Sequence, residues 1–133
     1  MEEIKQDGKV LARHITAEDF KPGLNFFSEA KDFIQVGVWG HYEQGQKLQA
    51  HMHNCFERIA ERTFEALYVI KGSLEAAIYD QKEQLVGKVK VSQGEILVLL
   101  ACGHGYNILD EDTTVLEVKN GPYMGAEKDR YRF

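Results

Sequence analysis

From about residue 31 to residue 120 the chain runs in short β-prone stretches of alternating apolar and polar positions, separated by glycine or charged turns. That rhythm belongs to an antiparallel sandwich or barrel, not to alternating strands and helices. It predicts strands at 33–42, 48–53, 64–71, 73–80, 85–92, 95–100, 106–109 and 114–119. Before residue 31 the pattern is less regular. Residues 9–15 read as an edge strand, and Thr16-Ala17-Glu18-Asp19-Phe20 as a cap and one helical turn ahead of Pro22-Gly23. There is no internal repeat, low-complexity tract or linker, and the only prolines are Pro22 and Pro122. The expectation is one all-β domain over residues 1–133, with its barrel core at 33–119 and a tail at 120–133.

Alternation also sorts side chains by face. On the strand predicted at 48–53, Gln49, His51 and His53 point one way and Leu48, Ala50 and Met52 the other. On the strand at 64–71, Glu65 shares a face with Leu67 and Val69, while Phe64, Ala66, Tyr68 and Ile70 occupy the opposite one. A carboxylate among apolar neighbours is costly to bury unless it is paired, hydrogen-bonded or bound to a cation. Together with His104, these residues read as a metal site: two imidazoles on one face, a carboxylate and a third imidazole.

Composition narrows the partners. At 133 residues with 44% hydrophobic content, the chain is sized for a single packed core. A formal charge of -5, from 16 basic against 21 acidic residues, offers no broad basic surface for nucleic acid. The polar, acidic start Met1-Glu2-Glu3-Ile4-Lys5-Gln6-Asp7 and the lack of a long apolar stretch predict a soluble cytoplasmic protein that engages no membrane. Cys55 and Cys102 are too few for a disulfide framework and read as reduced, buried thiols, although each stands two residues from a metal-site histidine.

The surrounding spacing resembles the cupin superfamily. Gly45, His51, His53, Glu65 and Gly72 match its first motif, and Gly94 and His104 match the beginning and end of its second. The resemblance covers roughly residues 33–119. It implies a cupin double-stranded β-helix, or jelly-roll barrel, with a metal held inside by His51, His53, Glu65 and His104. Two features depart from the pattern. The spacer between His53 and Glu65 holds eleven residues, far longer than in the common motif, so that Glu57 is a rival ligand. The usual Pro-x-Gly before the last histidine is replaced by Leu99-Leu100-Ala101-Cys102-Gly103. The turn Gly103-His104-Gly105-Tyr106 and the tail Lys119-Asn120-Gly121-Pro122-Tyr123-Met124-Gly125 are similar to those of small bacterial cupin-fold metalloproteins, some of which resemble proteins of sugar or cell-surface polysaccharide pathways.

Three neutral imidazoles and one carboxylate suit a divalent ion such as Fe, Mn, Ni, Co or Zn, and a six-coordinate ion keeps positions open for water or substrate. Tyr106, Arg58, Arg62 and Gln49 are candidate substrate-binding residues, and Tyr68, Lys119, Tyr123 and Arg130 are further candidates around the site. The spacer bearing Arg58 and Arg62 is placed as a substrate lid would be. The interleaved aromatic and arginine residues of the tail predict a homodimer or a strap over the barrel. The functional expectations are a metal-dependent enzyme acting on a small polar metabolite such as a sugar derivative, in the isomerase or epimerase sense; an iron-dependent dioxygenase; or a non-catalytic small-molecule-binding protein.

Overall fold

The computed structural model describes residues 1–133. Ten strands follow in the order β1 (Glu2–Gln6), β2 (Lys9–Ile15), β3 (Gly23–Phe26), β4 (Gly37–Gly40), β5 (Glu65–Lys71), β6 (Ser73–Tyr79), β7 (Leu85–Ser92), β8 (Ile96–Leu99), β9 (Gly103–Ile108) and β10 (Thr114–Lys119). One turn of 3-10 helix (Ala17–Asp19) and the four-residue helix α1 (Ala126–Asp129) complete the elements. Every pairing is antiparallel, and the protein is all-β.

The strands form a five-stranded sheet, β1-β2-β8-β5-β10, a three-stranded sheet, β7-β6-β9, and the separate ribbon β3-β4. Their period-two patterns explain how the two larger sheets meet. Leu67 and Val69 of β5, Leu97 and Leu99 of β8 and Ala12 of β2 bury one face of the first sheet, joined by Leu11, the extra residue where the register of β2 against β1 shifts. Leu74, Ala76 and Ile78 of β6 with Val89 and Val91 of β7 bury the facing side of the second, in one continuous cluster. Each fully buried aliphatic side chain contributes about 1.5–3 kcal/mol by leaving water. The chain passes from one sheet to the other through Gly72, whose φ of 76° and close approach to Thr113 leave no room for a side chain.

The outer face of the first sheet has its own cover. Ile15, Val98 and Leu100 pack there against Phe20, Phe27, Ile34, Val36 and Phe64. Arg13 lies beside them, 2% exposed, and donates hydrogen bonds to Glu3 at 3.0 Å, to Asp32 and to Glu29. Farther across the same face, Tyr68, Ile70, Leu116 and Val118 of β5 and β10 remain exposed. His14 points to the inner side and bonds Glu95 at 2.8 Å, a structural pairing remote from any site suggested by the sequence.

Several strands predicted from alternation are present with small shifts in their ends. The largest difference falls on residues 48–53, which form no strand. Residues 41–63 hold a single backbone–backbone hydrogen bond, from the Gln46 N–H to the Glu43 carbonyl. An alternating run becomes a strand only when another strand takes up its backbone groups, and here none does. The stretch expected at 33–42 contracts to β4, paired with the unforeseen β3. The strand at 9–15 is interior, since β1 occupies the edge beside it. No helix is long and apolar enough to cross a membrane.

Candidate metal centre

Three strand ends meet at one end of the sandwich: the start of β5, the start of β9 and the finish of β10. Asn120 fastens this corner. Its side-chain oxygen accepts the Phe64 N–H at 2.7 Å, and its amide donates to the Arg62 carbonyl at 3.2 Å. The first residue of β5 is therefore held in register with the last of β10, so that Glu65 and Lys119 stand directly opposite each other.

Glu65 points inward with Leu67 and Val69, and the residue is 9% exposed. Across the sandwich, His104 pairs with the fully buried Ile78 and so faces the same interior. The His104 Nε2 lies 3.3 Å from the Glu65 Oε2. The contact is not aligned as a hydrogen bond: Oε2 of Glu65 and Nδ1 of His104 are buried without a hydrogen-bond partner. Lys119 approaches the other carboxylate oxygen, donating to Oε1 at 3.4 Å, and is held more closely by Glu117 at 2.7 Å. The His104 ring, and after it Lys119, keeps the Glu65 carboxyl below the usual carboxylate range although burial opposes this. The Glu117 bond chiefly raises the Lys119 ammonium above the ordinary lysine range.

Tyr106 follows His104 on the same face, with ring centroids 5.3 Å apart. Part of its ring is exposed, yet burial, then Glu65 and Glu117, raises the pKa of its hydroxyl. Burial also pushes the Cys102 thiol up to about 12, so that it stays protonated at neutral pH.

The spacing of the Glu65–His104 pair is compatible with two ligands of one divalent ion. Two protein ligands each about 2.1 Å from one ion, at tetrahedral or octahedral angles, lie about 3.0–3.4 Å apart. The Glu65–His104 separation of 3.3 Å falls in that interval, and the unpartnered oxygen is the atom that an ion would satisfy. Glu65, His104 and Tyr106 are thus brought together, in company with Lys119.

The other sequence candidates lie elsewhere. His51 and His53 sit in the exposed segment between β4 and β5, their rings 5.2 Å apart and edge to face, and no three His, Cys, Asp or Glu side chains are grouped to hold a metal. The Gln49 carbonyl lies 3.3 Å from the His51 Nδ1. In the same exposed segment, Arg58 stacks over Phe56 at 3.6 Å, and Glu57 and Cys55 are open to solvent. Arg62 bonds Gln81 and lines an open cavity of 740 Å³ with Arg13, Asp32 and Phe64. That cavity opens on the outer side of the first sheet, because Phe64 alternates away from Glu65. Tyr68 is exposed on that outer face too. In the tail, Phe133 packs over Gly103 and edge to face on Tyr79 at 5.2 Å, strapping the starts of β9 and the end of β6.

Glu117 and Asn120 were not singled out by the sequence. For Glu117 the signal is available, since its spacing from Lys119 puts both on one face of a strand. For Asn120 there is none, because its role depends on which strand lies next to it. Comparison of the chain with family models, with characterised proteins and with solved structures found no match.

Proposed function

We propose that the chain is a metal-binding protein with a cupin-type jelly-roll fold, in which Glu65 and His104 hold one side of a divalent ion and His51 and His53 supply the remaining protein ligands. The observation that carries this reading is the buried, unpartnered carboxylate oxygen of Glu65, set 3.3 Å from an imidazole nitrogen. The segment bearing the His-x-His pair has the chemistry to join them. Its backbone is almost free of internal hydrogen bonds, and Leu48, Met52, Phe56 and Ile59 are exposed within it, Met52 at 95%. Both β9 and β10 are edge strands, with one side of each backbone unpaired and able to accept a strand.

A bound Fe, Mn, Ni, Co or Zn ion supplies Lewis-acid polarisation of a carbonyl or hydroxyl. Around it, Tyr106 offers a hydroxyl that stays protonated at neutral pH, and Lys119 offers a cation for the anionic portion of a ligand. Such a site suits a small polar metabolite, of which a sugar derivative is the leading substrate class, in an isomerase or epimerase. The exposed apolar face of Tyr68, Ile70, Leu116 and Val118 supports a homodimer.

The test is metal uptake by chelator-treated protein, read by elemental analysis after dialysis against each of the five ions. Stoichiometric uptake is expected, with loss in Glu65→Gln and in His104→Ala. Amide hydrogen exchange at residues 48–53 should slow on metal addition, and should not slow in the His51→Ala/His53→Ala double variant. Wild-type protein that retains no ion overturns the reading. Retention that is indifferent to His51 and His53 removes those two from the ligand set. If metal binds and stabilises the fold but candidate sugars are bound without being converted, the non-catalytic alternative holds.

A further inference from the structure

We propose that Lys119 is a built-in counter-ion of the metal site: its ammonium neutralises Glu65 while the site holds no metal, and its presence weakens metal binding. This rests on the metal reading of Glu65 and His104, and adds a residue that sets the affinity of that site.

The geometry begins with the register. Lys119 is the β10 residue paired directly with Glu65 on β5, so the two side chains rise on the same face of adjacent strands. Its Nζ reaches Oε1 of Glu65 at 3.4 Å, while the second oxygen, Oε2, is left to the interior facing His104. Glu65 therefore meets the Lys119 ammonium at one oxygen and the His104 imidazole, without a hydrogen bond, at the other. Glu117 lies two residues back on the same face and holds the same ammonium at 2.7 Å, the shorter of its two contacts. Lys119 is consequently suspended between a carboxylate at the interior and one nearer solvent. The Lys119 side chain is 33% exposed and the Glu65 side chain 11%, so Glu65 is the more buried partner and has the less access to solvent as a substitute for the ammonium.

A divalent ion on Glu65 changes the sign of that relation. The ammonium then faces a cation within a few ångströms, through a medium less polarisable than water. Moving fully onto Glu117 relieves the repulsion, and that movement is open to it because the bond already exists. Metal entry must therefore displace a cation that stabilises the metal-free protein. The partly exposed position of Lys119 limits the size of the effect, since solvent screens such pairs. Removing its charge should tighten binding about tenfold or less.

The experiment compares wild type, Lys119→Met and Lys119→Arg after chelator treatment, using Zn(II) competition against a chromophoric chelator and thermal unfolding without metal. The expected result is that Lys119→Met binds Zn(II) about three- to tenfold more tightly and unfolds at a lower temperature when metal-free, while Lys119→Arg stays near wild type in both. Titration with Co(II) adds the visible spectrum of the ligand field, which should match between wild type and Lys119→Met if the ligands are unchanged. Unchanged or weaker binding in Lys119→Met, with wild type binding normally, overturns the counter-ion role and leaves the metal reading intact. A metal-free Lys119→Met protein as stable as wild type or more so also overturns it. Wild type that binds neither ion removes the metal reading and this inference with it.

Discussion

Arg13 is nearly excluded from solvent, yet three carboxylates surround its guanidinium, so its charge is answered by neighbours and not by water. Replacing it with Met removes the buried partner of Asp32 and leaves Glu3 and Glu29 only the more exposed Lys5 and Lys31, and an unfolding free energy lower by about 3 kcal/mol is expected in urea denaturation. The same cluster fixes a pH dependence. Bonds from Lys5 and then Arg13 lower the Glu3 carboxyl below its usual 4.5. A group whose folded pKa is depressed contributes stability fully above the unfolded value, and that contribution disappears as pH falls through the lower folded value. Wild type should therefore lose stability on acidification below about pH 4.5, and Arg13→Met should show a shallower loss over the same range. At this scale the sequence is a partial guide. Inward placement of Glu65, and of Tyr106 beside His104, follows from alternation alone. The Lys119–Glu65 contact does not, since cross-strand pairing between residues so far apart in sequence is decided by the register of β10 on β5.

Among the elements, the turn that carries the chain from β5 in one sheet to β6 in the other is the most tightly specified. Gly72 combines a positive φ with Thr113 Oγ1 lying where a side chain would begin. Gly72→Ala should cost about 2 kcal/mol, measured as a fall in melting temperature, because both strain and displacement of Thr113 are imposed. Strands with a strong apolar face, such as β6 and β8, are legible because one face must be buried whatever their neighbours are. Those of mixed pattern are not. The 48–53 run alternates as cleanly as β5, but a strand is a property of a pair, and no neighbouring strand takes up its backbone. The β3-β4 ribbon carries the opposite lesson: Phe26 lies against Gly37 and Leu24 pairs with Trp39, contacts between stretches whose individual patterns are weak.

For the whole molecule, two sheets share one core, and the second cluster on the outer face ties the N-terminal third of the chain to the rest. β2 pairs with β8 from Ala12–Leu99 to Ile15–Ile96, and Ile15 packs with Val98 and Leu100. The N-terminal strands are thus joined to the C-terminal ones by a ladder and by apolar contacts as well as by the covalent chain. Between them, residues 41–63 contribute one internal backbone bond. The polypeptide can therefore be severed inside that stretch without its halves dispersing. Trypsin at low concentration should cut first after Lys47 or Arg58, giving two fragments on a denaturing gel that still co-elute on size exclusion; separation of the fragments under native conditions would show that the ladder and cluster do not suffice. The same locus is then where foreign sequence, or new chain ends in a circular permutant, can enter the protein at least cost to its architecture.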